Sequence, residues 1–237
     1  TFQEKMERLE TTGIDYCIAL DFTYELSLYS AADFIRLLAE EYHVKGLLIG
    51  YDHRFGHDRS DGFEQYVEYG GQVGMEVRKA SPYDEGNIRV SSSEIRRLLQ
   101  EGKVEMANAL LTYPYQLRGR IVSGYKVGRT IGFPTANIEV DSPYKLLPNV
   151  GVYAVWVELL GKRYKGMLYI GKRPTLQNGD NLTIEVNILG FSGNAYNDEI
   201  TVSFVYAVRE DKTFESVEAL REQLERDRQT VDKLLVE

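Results

Sequence analysis

Apolar residues recur along this chain with two different periods, and the change from one to the other divides it. In the first half they come as helical stripes and short unbroken runs. Phe2, Met6 and Leu9 share one helical face, and Gly13 behind them suits the left-handed residue that ends a helix. The apolar runs 14–20 and 44–49 read as strands buried on both faces, with a third strand at 75–79. Between them, Ser30-Ala31-Ala32-Asp33 has the form of a capping box opening a helix striped by Phe34, Leu37, Leu38 and Tyr42. A further helical pattern runs from 63 to 69 into Gly70-Gly71. The order βαβαβ predicts a parallel, doubly wound sheet. Ser91 and Glu94 then form a Ser-x-x-Glu cap for a helix buried through Ile95, Leu98 and Leu99, and a short helix over 104–111 ends before Tyr113-Pro114.

From Gln116 the apolar positions tend to alternate, and turns arrive at short intervals. Residues 152–159, 163–170, 182–189 and 199–208 read as strands, a series that fits an antiparallel barrel or sandwich. An amphipathic helix follows Phe214, with Val217, Leu220, Leu224, Val231 and Leu235 on one stripe. The expected domains are therefore 1–112 and 113–237.

Composition narrows the class. The 237 residues are 43% hydrophobic and 27% charged, as in a folded chain. A net charge of −8 argues against a general nucleic-acid or anionic-membrane surface, while leaving room for a local basic pocket. The single cysteine, Cys17, has no intrachain partner, which fits a reducing, cytoplasmic location, and its apolar setting predicts a core position. No apolar run reaches the length of a membrane span. The chain starts at Thr1 and enters a helical pattern at once, so a preceding part is expected to be missing.

Candidate chemistry gathers in three places. Gly132-Phe133-Pro134-Thr135-Ala136-Asn137 enters a strand on which Thr135 and Asn137 share a face, behind a loop with glycines at 124, 128 and 132. By spacing alone this is a polar strand after a hairpin loop; the second reading is a nucleotide–magnesium site, with oxygen ligands beside backbone N–H groups. In Thr183-Ile184-Glu185-Val186-Asn187-Ile188 the polar residues alternate with apolar ones. Glu185 is by default solvent-facing, or else a base in a ligand cleft. Ser92, Ser93 and Arg96 lie at a helix start, where hydroxyls and a guanidinium can meet phosphate. Two motifs are discounted. Residues 166–173 mimic a P-loop but carry Arg173 at the magnesium position, and His53 and His57 have nothing to complete a metal site.

With these residues laid out, the chain resembles the bacterial bifunctional riboflavin kinase/FAD synthetase family over nearly its whole length. The resemblance rests on Gly119 to Gly124, Gly128-Arg129, the Pro134-Thr135-Ala136-Asn137 motif, Pro148, Gly151-Val152-Tyr153, Ile170-Gly171, Arg173-Pro174-Thr175 and Glu185, closed by Arg209, Phe214, Leu220 and Asp227. It implies an incomplete doubly wound nucleotidyltransferase-like domain (α/β), then a six-stranded antiparallel β-barrel with a C-terminal helix. By the same matching, riboflavin would be phosphorylated by magnesium ATP. Glu185 would be the base, Thr135 and Asn137 would hold the metal, and Gly124, Gly128, Arg129, Gly132 and Pro134 would surround the phosphates. The first domain would convert FMN to FAD, with Ser92, Ser93 and Arg96 on ATP and Asp52 and Phe55 on the flavin.

The family's His-x-Gly-His loop is absent, so no appreciable FAD synthesis is expected from these residues alone. Asn187 stands where the family usually has histidine, and Gly190 where it has an acidic residue. Those departures leave open a non-catalytic flavin-binding or regulatory protein; a nucleic-acid-binding barrel is disfavoured by the charge. Oligomeric state is not legible.

Overall fold

The computed structural model describes residues 1–57, 59–81, 84–85, 88–124, 127–172 and 182–236, with backbone only at 84, 85, 88, 89, 127 and 129. The Arg173-Pro174-Thr175 motif and the side chain of Arg129 therefore lie outside the described residues. Two compact units divide the chain: Lys5–Arg89 is one, and Thr1–Glu4 with Val90–Glu237 is the other.

Helix α1 spans Phe2–Glu10, and Gly13 behind it has φ of +74°, the left-handed stop its position called for. In the smaller unit α2 is Tyr24–Ser27 and α3 is Ala31–Glu40, the latter capped by Ser30, whose hydroxyl accepts the Asp33 N–H. Strand β1, Gly46–Ile49, runs parallel to β2, Glu76–Lys79, and α4, Phe63–Gln72, connects them. Ile35, Ile49, Tyr66, Met75 and Val77 form the core of this layer. Gly70 lets α4 approach the sheet, since a Cβ there would lie 2.5 Å from Val77 Cγ2. A two-residue ladder, β3 (Asp84–Glu85) with β4 (Ile88–Arg89), completes the unit.

Of the three expected strands, the first is not there. Residues 14–20 form no strand; Tyr16 is 90% exposed, and Cys17 is exposed too, so the expectation of a core cysteine is corrected. An apolar run makes a strand only when a neighbour pairs with its backbone. Among the described residues this run has no ladder.

The larger unit begins with α5, Ser92–Gln100, and α6, Val104–Leu111. Six strands follow: β5 (Gln116–Val122), then after the single-turn α7 (Val127–Thr130), β6 (Ala136–Val140), β7 (Gly151–Leu159), β8 (Lys162–Lys172), β9 (Leu182–Ile188) and β10 (Glu199–Glu210). They close into an antiparallel barrel in the order β10-β5-β6-β9-β8-β7. The P-loop-like residues 166–172 lie along β8. Alternate residues fill the barrel, among them Leu117, Ile138, Val155, Leu168, Val186 and Phe204. Leu98, Leu99, Val104, Ala107 and Leu110 of α5 and α6 join the same core. That packing explains why the compact-unit division falls after Arg89, ahead of the change of period at Tyr113-Pro114.

Strand β7 is buried on both sides because α8, Val217–Leu234, covers part of the barrel's outer surface. There Val152, Ala154, Trp156 and Met167 meet Val231 and Leu235 in a second core. Arg209 at the end of β10 donates to Asp227 of α8 at 2.9 Å, and Gln223 donates to the other carboxylate oxygen at 2.7 Å.

Candidate active site

The side chains singled out on the barrel converge on its outer face. Asn137 of β6 is the register partner of Glu185 of β9, and Glu185 in turn is the partner of Tyr169 of β8. Cross-strand partners place their Cβ atoms about 4.5–5.5 Å apart on one face, so an amide, a carboxylate and a phenol stand in a row. The neighbouring residues Ile138, Ile184, Val186, Leu168 and Ile170 point inward and fill the barrel. The polar stripe of β9 thus looks outward, away from the barrel interior.

Thr135 sits just before β6, and its Oγ1 donates to Glu185 Oε2 at 2.9 Å. Thr183 Oγ1 lies 3.4 Å from the other carboxylate oxygen. Asn137 is 7% exposed, while Thr135 is exposed. The glycine loop folds onto this group. Phe133 N–H donates to Gly128 O at 2.8 Å, closing a turn through Gly132 at φ +86°. A Cβ on Gly128 would lie 2.2 Å from the backbone oxygen of Phe133, so that position demands a hydrogen, and one on Gly124 would lie 2.0 Å from Asn137 Nδ2, so a side chain there would displace the Asn137 amide. Gly124, Gly128, Thr135, Asn137 and Glu185 are thereby brought together as expected; Pro134 adjoins them.

Beside them opens a cleft of about 620 Å³, lined by Ile121, Thr135, Ala136, Val186, Phe191 and Tyr196 among others. Apolar walls with polar groups at Thr135, Ser192 and Asn194 suit a planar heterocycle carrying a polar tail. Carboxylate, hydroxyl and amide oxygens are the hard donors that a magnesium ion takes, and the donor set fits one.

Three members of this site were not anticipated in these roles. Tyr169 donates to Asp211 Oδ1 at 3.1 Å, and burial, then the Asp211 and Glu185 charges, push its phenol up to about 12. Near neutral pH it stays a neutral donor. Asn187 is buried, and its amide N–H donates to Pro134 O at 2.7 Å. Its place in the Thr183/Glu185/Asn187 alternation was the available signal; Tyr169 and Asp211 offered none, being distant in sequence.

The adenylyltransferase candidates fall in both compact units. Ser92 and Ser93 occupy the exposed first turn of α5, where Ser91 caps the helix by accepting Glu94 N–H at 3.2 Å. Arg97 is held by Glu94 and Glu101, whereas Arg96 is exposed and carries no ion pair among the described residues. Asp52 belongs to the smaller unit and borders a cavity of about 300 Å³ with Tyr51, His53 and Lys79. Phe55 packs against a wall of that cavity: its ring stacks at 4.3 Å on Tyr66, which lines it, and the Tyr66 hydroxyl bonds both the N–H and the carbonyl of Phe55.

A small closed barrel with an amide–carboxylate–phenol row and a parallel βαβ layer make a two-part architecture, and comparison with known proteins assigns it to a class of two-part transferases. Residues 111–235 match the family model described as riboflavin kinase, and residues 1–94 match that described as FAD synthetase. A bifunctional riboflavin kinase/FMN adenylyltransferase of Listeria monocytogenes is 35% identical over 96% of this chain and 72% of its own length. One from Haemophilus influenzae is 36% identical over 96% of this chain and 74% of its own. A Streptococcus pneumoniae crystal structure, described as a macrolide-efflux protein, superposes with a TM-score of 0.89 at 30% identity, covering 97% of this chain and 74% of that one. Among the described residues, no helix here is long and apolar enough to cross a membrane. The chain belongs to the bifunctional riboflavin kinase/FMN adenylyltransferase family, and its work is flavin cofactor biosynthesis, with riboflavin, FMN and FAD as substrates or products.

Proposed function

We propose that the barrel transfers the γ-phosphoryl group of magnesium ATP to the terminal ribityl hydroxyl of riboflavin, with Glu185 as general base. The supporting observation is the Thr135–Glu185 hydrogen bond within the Asn137–Glu185–Tyr169 row. As the hydroxyl oxygen bonds to phosphorus, its proton passes to the Glu185 carboxylate and the bond to ADP breaks. Thr135 and Asn137 hold magnesium and phosphate oxygens, and the loop carrying Gly124, Gly128, Arg129 and Gly132 covers the phosphates. Bound magnesium supplies charge neutralisation, the main need of phosphoryl transfer.

In the reading by domains 1–112 and 113–237, the first part corresponds to the module that transfers the adenylyl group of ATP to FMN, and these residues alone, without the His-x-Gly-His loop, are expected to make no appreciable FAD. Ser92, Ser93 and Arg96 then meet the triphosphate, and Asp52 and Phe55 the flavin side. The acidic net charge of −8 supports small-molecule partners over nucleic acid, and the lone Cys17 supports a cytoplasmic location.

Chromatography of riboflavin incubated with magnesium ATP tests the kinase. FMN should accumulate, and chelation of the metal should stop it. Glu185→Gln should lower turnover by about 10²–10⁴-fold, the usual contribution of a general base, while ATP binding stays close to normal. Undiminished turnover in that variant would remove Glu185 from the role.

A further inference from the structure

The ladder between β6 and β9 holds two register pairs, Ala136↔Val186 and Asn137↔Glu185. Continued by one step, the antiparallel register would set Thr135 opposite Asn187. The backbone ladder has ended there, and Pro134 has no N–H to contribute. What spans the widened seam is a side chain: Asn187 Nδ2–H donates to the Pro134 carbonyl at 2.7 Å. Asn187 is 7% exposed, so its amide would otherwise lose a partner away from water.

We infer that Asn187 is a positioning residue for the phosphotransfer site, acting through the Pro134–Thr135 peptide; the inference rests on the proposed role of Thr135 toward magnesium and ATP. The Pro134 carbonyl belongs to the planar peptide whose other end is the Thr135 nitrogen. Holding that oxygen fixes the plane, and with it the direction in which the Thr135 side chain leaves the backbone. Thr135 Oγ1 is then presented to Glu185 Oε2 at 2.9 Å. The connection runs from Asn187 on β9, through Pro134 and Thr135, back to Glu185 on β9. It stands in for a third rung, and it leaves open the seam bordered by the 620 Å³ cleft. A histidine at this position also offers an N–H, so the residue can change while the donor is kept.

The test compares Asn187→Leu, which has similar bulk and no donor, with Asn187→His, which restores one. Rates of FMN formation are measured across magnesium, ATP and riboflavin concentrations, beside thermal melting. Asn187→Leu should raise the magnesium concentration for half-maximal rate about tenfold, the scale of one oriented hydrogen bond, and leave the riboflavin KM within about twofold. Asn187→His should recover most of that loss. If Asn187→Leu does not fold, Asn187→Ser, too short to reach Pro134 O, carries the same expectation. An unchanged magnesium requirement in the variants that cannot donate to Pro134 O, or no recovery with histidine, overturns the inference. Thr135→Ala separates it from its foundation. If that variant shifts the magnesium requirement and Asn187→Leu does not, only the inference falls; if Thr135→Ala also has no effect, the reading of Thr135 falls with it.

Discussion

Gly124→Ala is a perturbation that removes no proposed ligand and should still disable the kinase. The added Cβ would lie 2.0 Å from Asn137 Nδ2 and 2.6 Å from its Cγ, about 1.4 Å short of ordinary contact beginning at 3.4 Å. The obstructing atoms are the far end of a side chain, so Asn137 yields before the backbone does. A displacement of about 1 Å at a reacting site can cost on the order of 10²-fold, or about 2.7 kcal/mol at 1.36 kcal/mol per factor of ten. We expect kcat/KM for riboflavin phosphorylation to fall about a hundredfold. Initial rates of FMN formation at saturating magnesium, with calorimetric melting of the same samples, provide the measurement. Overpacking of this kind costs typically 1–3 kcal/mol, and relief through a side-chain end favours the lower figure. The melting midpoint should then move by only about 2–4 °C. A variant within threefold of wild-type kcat/KM would refute the claim that Asn137 must occupy its observed place.

Other consequences can be checked by stability. Asp227 is 2% exposed and takes hydrogen bonds from both Arg209 and Gln223. Asp227→Ala should cost about 3 kcal/mol in urea unfolding, the low end for breaking a buried pair, because Arg209 retains some access to water. Burial first, and the Glu105 charge second, push the Tyr153 hydroxyl up to about 12. The folded state thus keeps that proton after the unfolded chain has lost it at about 10. The associated stability is complete below pH 10 and disappears as pH rises to 12. Melting temperature should drop across that window, and Tyr153→Phe should flatten the drop; an unchanged slope would contradict the assignment to Tyr153.

The barrel was readable because alternation over 152–208 reflects one filled interior, and the residues that fill it do alternate on β9 and β10. Strand β7 hides the alternation, since α8 buries Val152, Ala154 and Trp156 on the side opposite Tyr153, Val155 and Val157. Residues 14–20 misled for a related reason: hydrophobicity records a tendency to be covered, without naming what covers it. The motif around Thr135 and Asn137 marked a neighbourhood in which the structure sets these side chains beside Glu185. Its facing did not follow, because alternation distinguishes two faces of a strand without saying which is inside. Asn187 and Tyr169 acquire meaning only through register, with partners at Pro134 and Asp211 that lie 53 and 42 positions away. No local pattern encodes such pairings.

The two-pair seam has a dynamic consequence. A closed barrel is a ring of ladders in series, and the ring opens where the fewest backbone bonds must break. Nine register pairs join β7 to β10 and nine join it to β8, against two between β6 and β9. Amide hydrogen exchange should accordingly be fastest at Ala136, Asn137 and their β9 partners. Nucleotide bound across this junction would act as the missing staple, slowing exchange there while leaving β7 unaffected. The same few bonds would then report, by their lifetime, whether the barrel is loaded.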